Sequence, residues 1–196
     1  MDTISPTATI ETGATVGPGT RIWDFVHIRS GARLGAACTV GRNALIDTGV
    51  VVGDRCKIQN NALIYAPAVL DDGVFIGPAA ILTNDRVPRA VAPDLSLKTG
   101  SDWSPEGVTV GTGASVGAGA VVVAGVRIGS WAMVAAGAVA ATDVPDFALV
   151  AGVPARFVRW IGRTGRPLEV GPDGIWRCPD SGDRFRLSGA ALEPAP

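Results

Sequence analysis

Few side chains in this chain can do more than hydrogen-bond. There is one histidine, His27, one tyrosine, Tyr65, and three cysteines, Cys38, Cys56 and Cys178. One histidine cannot build a three-histidine zinc site, and no C-x-x-C spacing offers a thiolate pair, so no metal is expected. An odd cysteine count also argues against a disulfide framework. What remains is a set of polar clusters: Gln59-Asn60-Asn61 leading to Tyr65, Thr83-Asn84 leading to Arg89, and Arg156 with Arg159. Amide side chains orient a ligand with two donors and an acceptor, and arginines meet phosphates through a planar fork. The same residue types also turn chains, ladder along corners and close salt bridges, so each keeps a structural reading beside the chemical one. Lys57 and Arg29 fit solvated faces better than a site.

These residues sit in an unusual composition. Of 196 residues, 26 are glycine and 14 proline, interleaved with aliphatics rather than clustered, which argues for many tight turns and not for disorder. The formal net charge of −1 gives no basic field for nucleic acid or an anionic membrane. Hydrophobic content is 47%, yet glycine and polar residues interrupt every apolar run before about 18 residues, too short to cross a bilayer. The opening run Met1-Asp2-Thr3-Ile4-Ser5-Pro6 lacks the basic and apolar regions of a signal peptide, so a soluble cytoplasmic protein is expected.

The repeat decides the fold. From Ile10, every sixth residue is aliphatic: Val16, Ile22, Ile28, Leu34, Val40, Ile46, Val52, Ile58, Ile64, Leu70, Ile76 and Leu82. With about a quarter of residues Ile, Leu or Val, chance gives such a run with a probability on the order of 10⁻⁸ per register. The residue two places earlier is small or β-branched (Ala14, Thr20, Val26, Ala32, Cys38), and glycine often follows the aliphatic. A period of six fits a short strand plus a turn, with three such hexads closing one triangular coil. Cys38 and Cys56, three hexads apart, then stack one coil apart as small core residues.

The pattern breaks after Leu82 and resumes at Val110, with Val116, Val122, Ile128, Val134 and Ala140 following. Residues 83–107 therefore read as a loop thrown out from one corner, and long excursions from a rigid scaffold commonly carry function. If the insertion leaves the coils beyond it in register, so that Val121 stacks on Ile81, then Thr9, His27, Leu45, Leu63, Ile81, Val121 and Val139 form one outward column. Its aliphatic members predict a face covered by neighbouring subunits. The expected domains are residues 1–142, the coils with their loop, and 143–196, a terminal cap with a short helix over 157–163 and a hairpin over 175–187 around Asp180-Ser181-Gly182-Asp183. Cys178, alone in that hairpin with no partner for a metal, reads as structural or incidental.

The hexad array resembles the left-handed parallel β-helix of hexapeptide repeats found in acyltransferases. Within that family the chain is similar to nucleotide-linked 3-amino-sugar N-acetyltransferases. The likeness rests on Lys57-Ile58-Gln59-Asn60-Asn61 with Tyr65, Thr83-Asn84 with Pro88-Arg89-Ala90, Asp143-Val144-Pro145-Asp146, Ala151-Gly152-Val153-Pro154-Ala155-Arg156, and a tail with Cys178-Pro179, Gly182 and Phe185. Against the family, the loop is poor in charged and tyrosine residues, with Asp85-Arg86-Val87 ahead of Pro88. The resemblance implies a homotrimer with sites between subunits, acetyl-CoA along the groove between two β-helices, and Asn84 positioning the amine of a UDP- or dTDP-linked 3-amino sugar. Gln59, Asn60, Asn61 and Tyr65 would meet the sugar nucleotide and Arg89 one of its phosphates. Coenzyme A would lie on the small outward residues Ala118 and Ala136, with Arg156 and Arg159 facing its phosphates.

Acetyl transfer to an amine needs alignment, oxyanion stabilisation and somewhere for a proton to go. An amine with a pKa of about 8 is already partly deprotonated at neutral pH, so a strong base is optional. Acylation of a hydroxyl needs one. His27 stands about three coils, roughly 14 Å, from Asn84, which favours an interface role over that of a base. The alternatives are an O-acetyltransferase of the same fold, disfavoured by the lack of histidine in 83–107, and a non-catalytic β-helix scaffold.

Overall fold

The computed structural model describes residues 3–189 and 191–195. Met1 and Asp2 of the opening run, and Ala190 and Pro196 of the tail, lie outside them. Each hexad forms a two-residue strand, such as Leu45–Ile46 or Lys57–Ile58, whose second residue points inward and whose first faces out. The inward aliphatics from Ile22 to Ile128 are at most 4% exposed and join one continuous core. Each such side chain contributes roughly 1.5–3 kcal/mol, which lets a chain with 6% aromatic residues build a stable interior.

Among the described residues the strands stack into three sheets of nine, seven and six strands, parallel except for the last strand of the nine, with a separate sheet of four. Strands one coil apart pair in register, as in Lys57↔Thr39 on the first face, His27↔Leu45 on the second and Arg33↔Val51 on the third. The corners between first and second faces carry Phe25, Asn43, Asn61 and Ala79 at φ of 56–60°, and then Gly119 and Gly137 at 64° and 67°. Asparagine tolerates that left-handed region better than most residues, which gives Asn43 and Asn61 a structural reason to stand there. Both core cysteines stack as expected, Cys38 Sγ donating to the Gly53 carbonyl (3.2 Å) and Cys56 Sγ to that of Asp71 (3.1 Å).

The loop leaves after Ile81–Leu82 and returns before Thr109–Val110. Its ends meet where the Glu106 amide donates to the Asn84 carbonyl (2.9 Å). The stack continues across it without a slip: Ile81 pairs with Val121 and Val69 with Thr109, just as they would if the coil had closed directly. The insertion lengthens one coil and leaves the register of those beyond it intact, so the condition under which Val121 and Val139 continue the outward column is met.

Two expectations about the tail need correction. The stack runs past residue 142: Val144 bridges to Ile128, and Val134 pairs with Val150 in the strand Ala148–Ala151. The steps from Ile128 to Val144 and from Val134 to Val150 fall short of three full hexads, so the shortened last coil escapes a search at period six. The expected helix over 157–163 is also absent. Arg156–Trp160 is a strand, antiparallel to Ala148–Ala151, with a bulge at Val158. The last coil leaves an unpaired sheet edge, and pairing Phe157 and its aromatic and β-branched neighbours against it satisfies both backbone and side chains. The hairpin is present, formed by Ile175–Arg177 and Arg184–Ser188 inside the four-stranded sheet. Phe185, 2% exposed, packs its ring 4.7 Å from Phe147 and closes the core.

Candidate functional site

The second face and its two edges position the candidate residues. Its outward column is Thr9, His27, Leu45, Leu63, Ile81, Val121 and Val139, joined by the register of successive strands. From His27 upward each is half-buried. One edge is the corner from which the loop departs. The other is the corner of Asn61.

At the loop edge, Asn84 Nδ2 donates to the Ala66 carbonyl one coil below, at 2.7 Å. A carbonyl only accepts, so this contact fixes which end of the amide is which. Oδ1 makes no hydrogen bond within the described residues and is left free to accept. Tyr65 precedes Ala66, half-buried, and Thr83 Oγ1 donates to the Val122 carbonyl (3.1 Å). Ala66 is held in turn: its amide donates to Asp47 Oδ2 (3.1 Å), and Asp47 Oδ1 accepts from Arg29 Nη1 (2.8 Å) and the Thr48 amide (2.7 Å). Burial raises the Asp47 carboxyl, but the Thr48 and Ala66 amides and the Arg29 guanidinium outweigh it and hold it below the usual aspartate range. Arg29 also approaches Glu11 (3.8 Å), which pairs with His27 Nε2 at 2.7 Å. The His27 ring is thus engaged by a carboxylate well away from Asn84, with Leu45, Leu63 and Ile81 rising between.

Sequence reasoning singles out Asn84, Tyr65 and Arg89 at this edge, treats Arg29 as a solvated residue, and passes over Asp47 and Glu11. The signal is present as the one-coil spacing of Glu11, Arg29 and Asp47, which alternate in charge up one corner. Arg89 lies on the exposed loop, its Nη1 donating to the Pro88 carbonyl (2.9 Å), and lines a depression with Asp85, Lys98 and Trp103.

At the opposite edge, Asn60 Oδ1 accepts from the Arg42 amide (3.0 Å) and Asn61 Oδ1 from Asn43 Nδ2 (3.2 Å). The ladder reading of these residues is therefore realised, while their own side-chain NH₂ groups donate to nothing within the described residues. Gln59 is half-buried beside them. Ala118 and Ala136 continue this edge upward, both exposed, joined by the Gly137 amide donating to the Ala118 carbonyl (2.8 Å). Packing along it is close: a Cβ on Gly77 would lie 2.5 Å from the Ala118 amide nitrogen. At the top, the Val139 amide donates to the Gly152 carbonyl and the Ala155 amide to that of Val139, so the turn before Arg156 folds over the second face. The bulge at Val158 sets Arg156 opposite Ala151 and Arg159 opposite Leu149, which puts both arginines on the outer face of their strand. Within one chain the two edges are separated by the width of the second face. Asn84, Tyr65 and Arg89 gather on one side, and Gln59, Asn60, Asn61, Ala118, Ala136 and Arg156 on the other.

Stacked hexad coils, a triangular core and one long corner loop define a left-handed parallel β-helix of hexapeptide repeats. A family model described as the hexapeptide repeat of succinyl-transferase matches residues 27–66 and 107–139. The chain is 38% identical over 77 residues to the dTDP-3-amino-3,6-dideoxy-alpha-D-galactopyranose 3-N-acetyltransferase of Aneurinibacillus thermoaerophilus, covering 39% of this chain and 38% of that one. It is 34% identical over 90 residues to serine acetyltransferase 4 of Arabidopsis thaliana, covering 45% of this chain and 24% of the relative. The matches thus span less than half the length of either curated relative. Among solved structures, AntD, an N-acyltransferase from Bacillus cereus in complex with dTDP and coenzyme A, superimposes with a TM-score of 0.55 at 17% identity, over 82% of this chain and 81% of that one. At that identity the likeness speaks for the fold.

Proposed function

We propose that this chain is an acetyl-CoA-dependent N-acetyltransferase acting on the amino group of a UDP- or dTDP-linked 3-amino sugar. The observation that carries the reading is the Asn84 amide, tied through Nδ2 to the Ala66 carbonyl and free at Oδ1 where the loop begins. An acceptor so held binds one N–H of a neutral amine and directs its lone pair away from the asparagine, toward a thioester. The amine nitrogen attacks the acetyl carbonyl, the C–N bond forms, the C–S bond breaks, and the coenzyme A thiolate receives the proton the nitrogen gives up. Such direct attack in a ternary complex needs alignment above all, which is worth several orders of magnitude in rate.

Assembly completes the site in this reading. The half-buried aliphatic column packs against other copies in a homotrimer. The loop edge of one subunit, with Asn84, Tyr65 and Arg89, meets the opposite edge of its neighbour, with Gln59, Asn60 and Asn61. Coenzyme A lies along that edge on Ala118 and Ala136, which are exposed and carry only methyl side chains, and its phosphates face Arg156 and Arg159. Arg89 meets the diphosphate of the sugar nucleotide. The relative from Aneurinibacillus, by its name, acts on a dTDP-linked 3-amino sugar, which supports the substrate class. The cytoplasm, where acetyl-CoA and nucleotide sugars are held, is the proposed location; among the described residues no helix is long and apolar enough to cross a membrane.

O-acetyl transfer is the second reading, favoured by the likeness to serine acetyltransferases. Incubation with acetyl-CoA and a panel of nucleotide-linked 3-amino and 4-amino sugars, their hydroxyl counterparts and serine separates the two. Thiol release with a 3-amino sugar alone is the expected result. Release with serine or a hydroxyl sugar, and none with any amine, would transfer the assignment to the second reading.

A further inference from the structure

Asp47 is the one buried charged side chain among the described residues. Other carboxylates cap amides along the corners, Asp54 accepting from the Ala36 amide and Asp72 from the Asp54 amide, but their side chains are 45% and 49% exposed. That of Asp47 is 11% exposed. Burying a carboxylate is costly unless hydrogen bonds replace the lost water, and here three donors converge on it: Arg29, Thr48 and Ala66. The Ala66 amide it holds belongs to the residue whose carbonyl holds Asn84.

We infer that Asp47 is a positioning residue for this site, holding the Ala66 residue so that its carbonyl orients the Asn84 amide and presents Oδ1 to the substrate amine. The inference rests on the proposed function. The geometry makes a specific demand: both carboxylate oxygens must accept, since Oδ1 faces Arg29 and the Thr48 amide and Oδ2 faces the Ala66 amide. Asparagine has nearly the same shape but only one accepting end. In either orientation Asp47→Asn sets an NH₂ group against a donor, at Ala66 or at Arg29 and Thr48. Ala66 then shifts and Asn84 loses its alignment, with no direct contact between residue 47 and the substrate.

The test is a double-mutant cycle on the full chain with acetyl-CoA and the amino sugar that wild type acetylates. Asp47→Asn is expected to lower kcat roughly tenfold, the scale of a modest misplacement, with KM for acetyl-CoA unchanged. Asp47→Glu, which keeps two acceptors, is expected to restore part of that loss. In an Asn84→Ala background Asp47→Asn is expected to add nothing, because a residue that acts through Asn84 has nothing left to orient. Losses that multiply in the double variant would overturn the inference and leave Asp47 as a stabilising carboxylate only. If Asp47→Asn does not fold, Arg29→Met withdraws one donor at a half-exposed position and carries the same cycle with a smaller loss. Wild-type kcat in Asp47→Asn beside an impaired Asn84→Ala sinks this inference alone. Wild-type kcat in Asn84→Ala, or no amine acetylated by wild type, sinks the site reading and this inference with it.

Discussion

Asn84 offers two donor hydrogens and one acceptor oxygen, and the fold uses a donor, so that what faces outward is the acceptor. Replacing it with alanine removes that acceptor without touching the core. Asn84→Ala is expected to reduce kcat roughly a hundredfold while acetyl-CoA binding and thermal midpoint stay near wild type, as steady-state kinetics, calorimetry and thermal denaturation would show. Asp47 has a second consequence at this scale. Its carboxyl is held below the ordinary aspartate range in the folded protein, so it contributes stability that is fully present above the unfolded pKa of about 3.9 and is lost as pH falls through its lower folded value. Urea denaturation from about pH 6 down to about pH 3 is expected to show the gap between wild type and Asp47→Asn narrowing toward acid; a gap independent of pH would contradict it. Asn84 is legible in the sequence because the repeat stops there. Asp47 is not: a buried carboxylate and an exposed one look alike in a corner column, and only the folded chain shows Arg29 reaching over to it.

At the scale of elements, each corner is a column of residues one coil apart, and small residues at Ala118 and Ala136 keep one column low. If coenzyme A lies there, a bulky ring must displace it. Ala136→Trp is expected to abolish acetyl-CoA binding measured by calorimetry while the circular dichroism of the coils stays unchanged, since Ala136 is exposed. Unaltered binding would remove the cofactor from this edge. The period of six makes the coils and the loop limits readable in advance, because every buried position repeats the same demand for an aliphatic. The 28-residue step from Leu82 to Val110 is not a multiple of six, so the register across the loop is read from the folded chain. The tail has no such repetition. Its last coil falls short of three hexads, and the segment after it takes its conformation from the sheet edge it covers, a tertiary influence that local pattern does not carry.

For the whole molecule, the outward column of Leu45, Leu63, Ile81, Val121 and Val139 is the feature that a single chain leaves half-covered. Aliphatic residues in line on a flat sheet favour a partner with the same face, and threefold packing of triangular prisms brings unlike edges together as the proposed site requires. Leu63→Glu places a charge in the middle of that contact. Light scattering is expected to show wild type as a trimer and the variant as a smaller species, with acetyl transfer lost because the two edges no longer meet. A variant that remained trimeric would show that another face carries the assembly.

The register-neutral loop bears on how such a protein changes over time. Because Ile81 meets Val121 as if nothing intervened, the register of the coils above and below does not depend on how much chain lies between Asn84 and Glu106, whose backbones meet at the corner. Slightly more than doubling the length of one closure costs only roughly 0.7 kcal/mol in chain entropy. Changes of length in that loop are therefore expected to cost folding little, while in the proposed site they would alter what the corner recognises. If the proposed site is right, the architecture separates the inheritance of stability from the inheritance of specificity, and a lineage built on it would explore new acceptors one loop at a time.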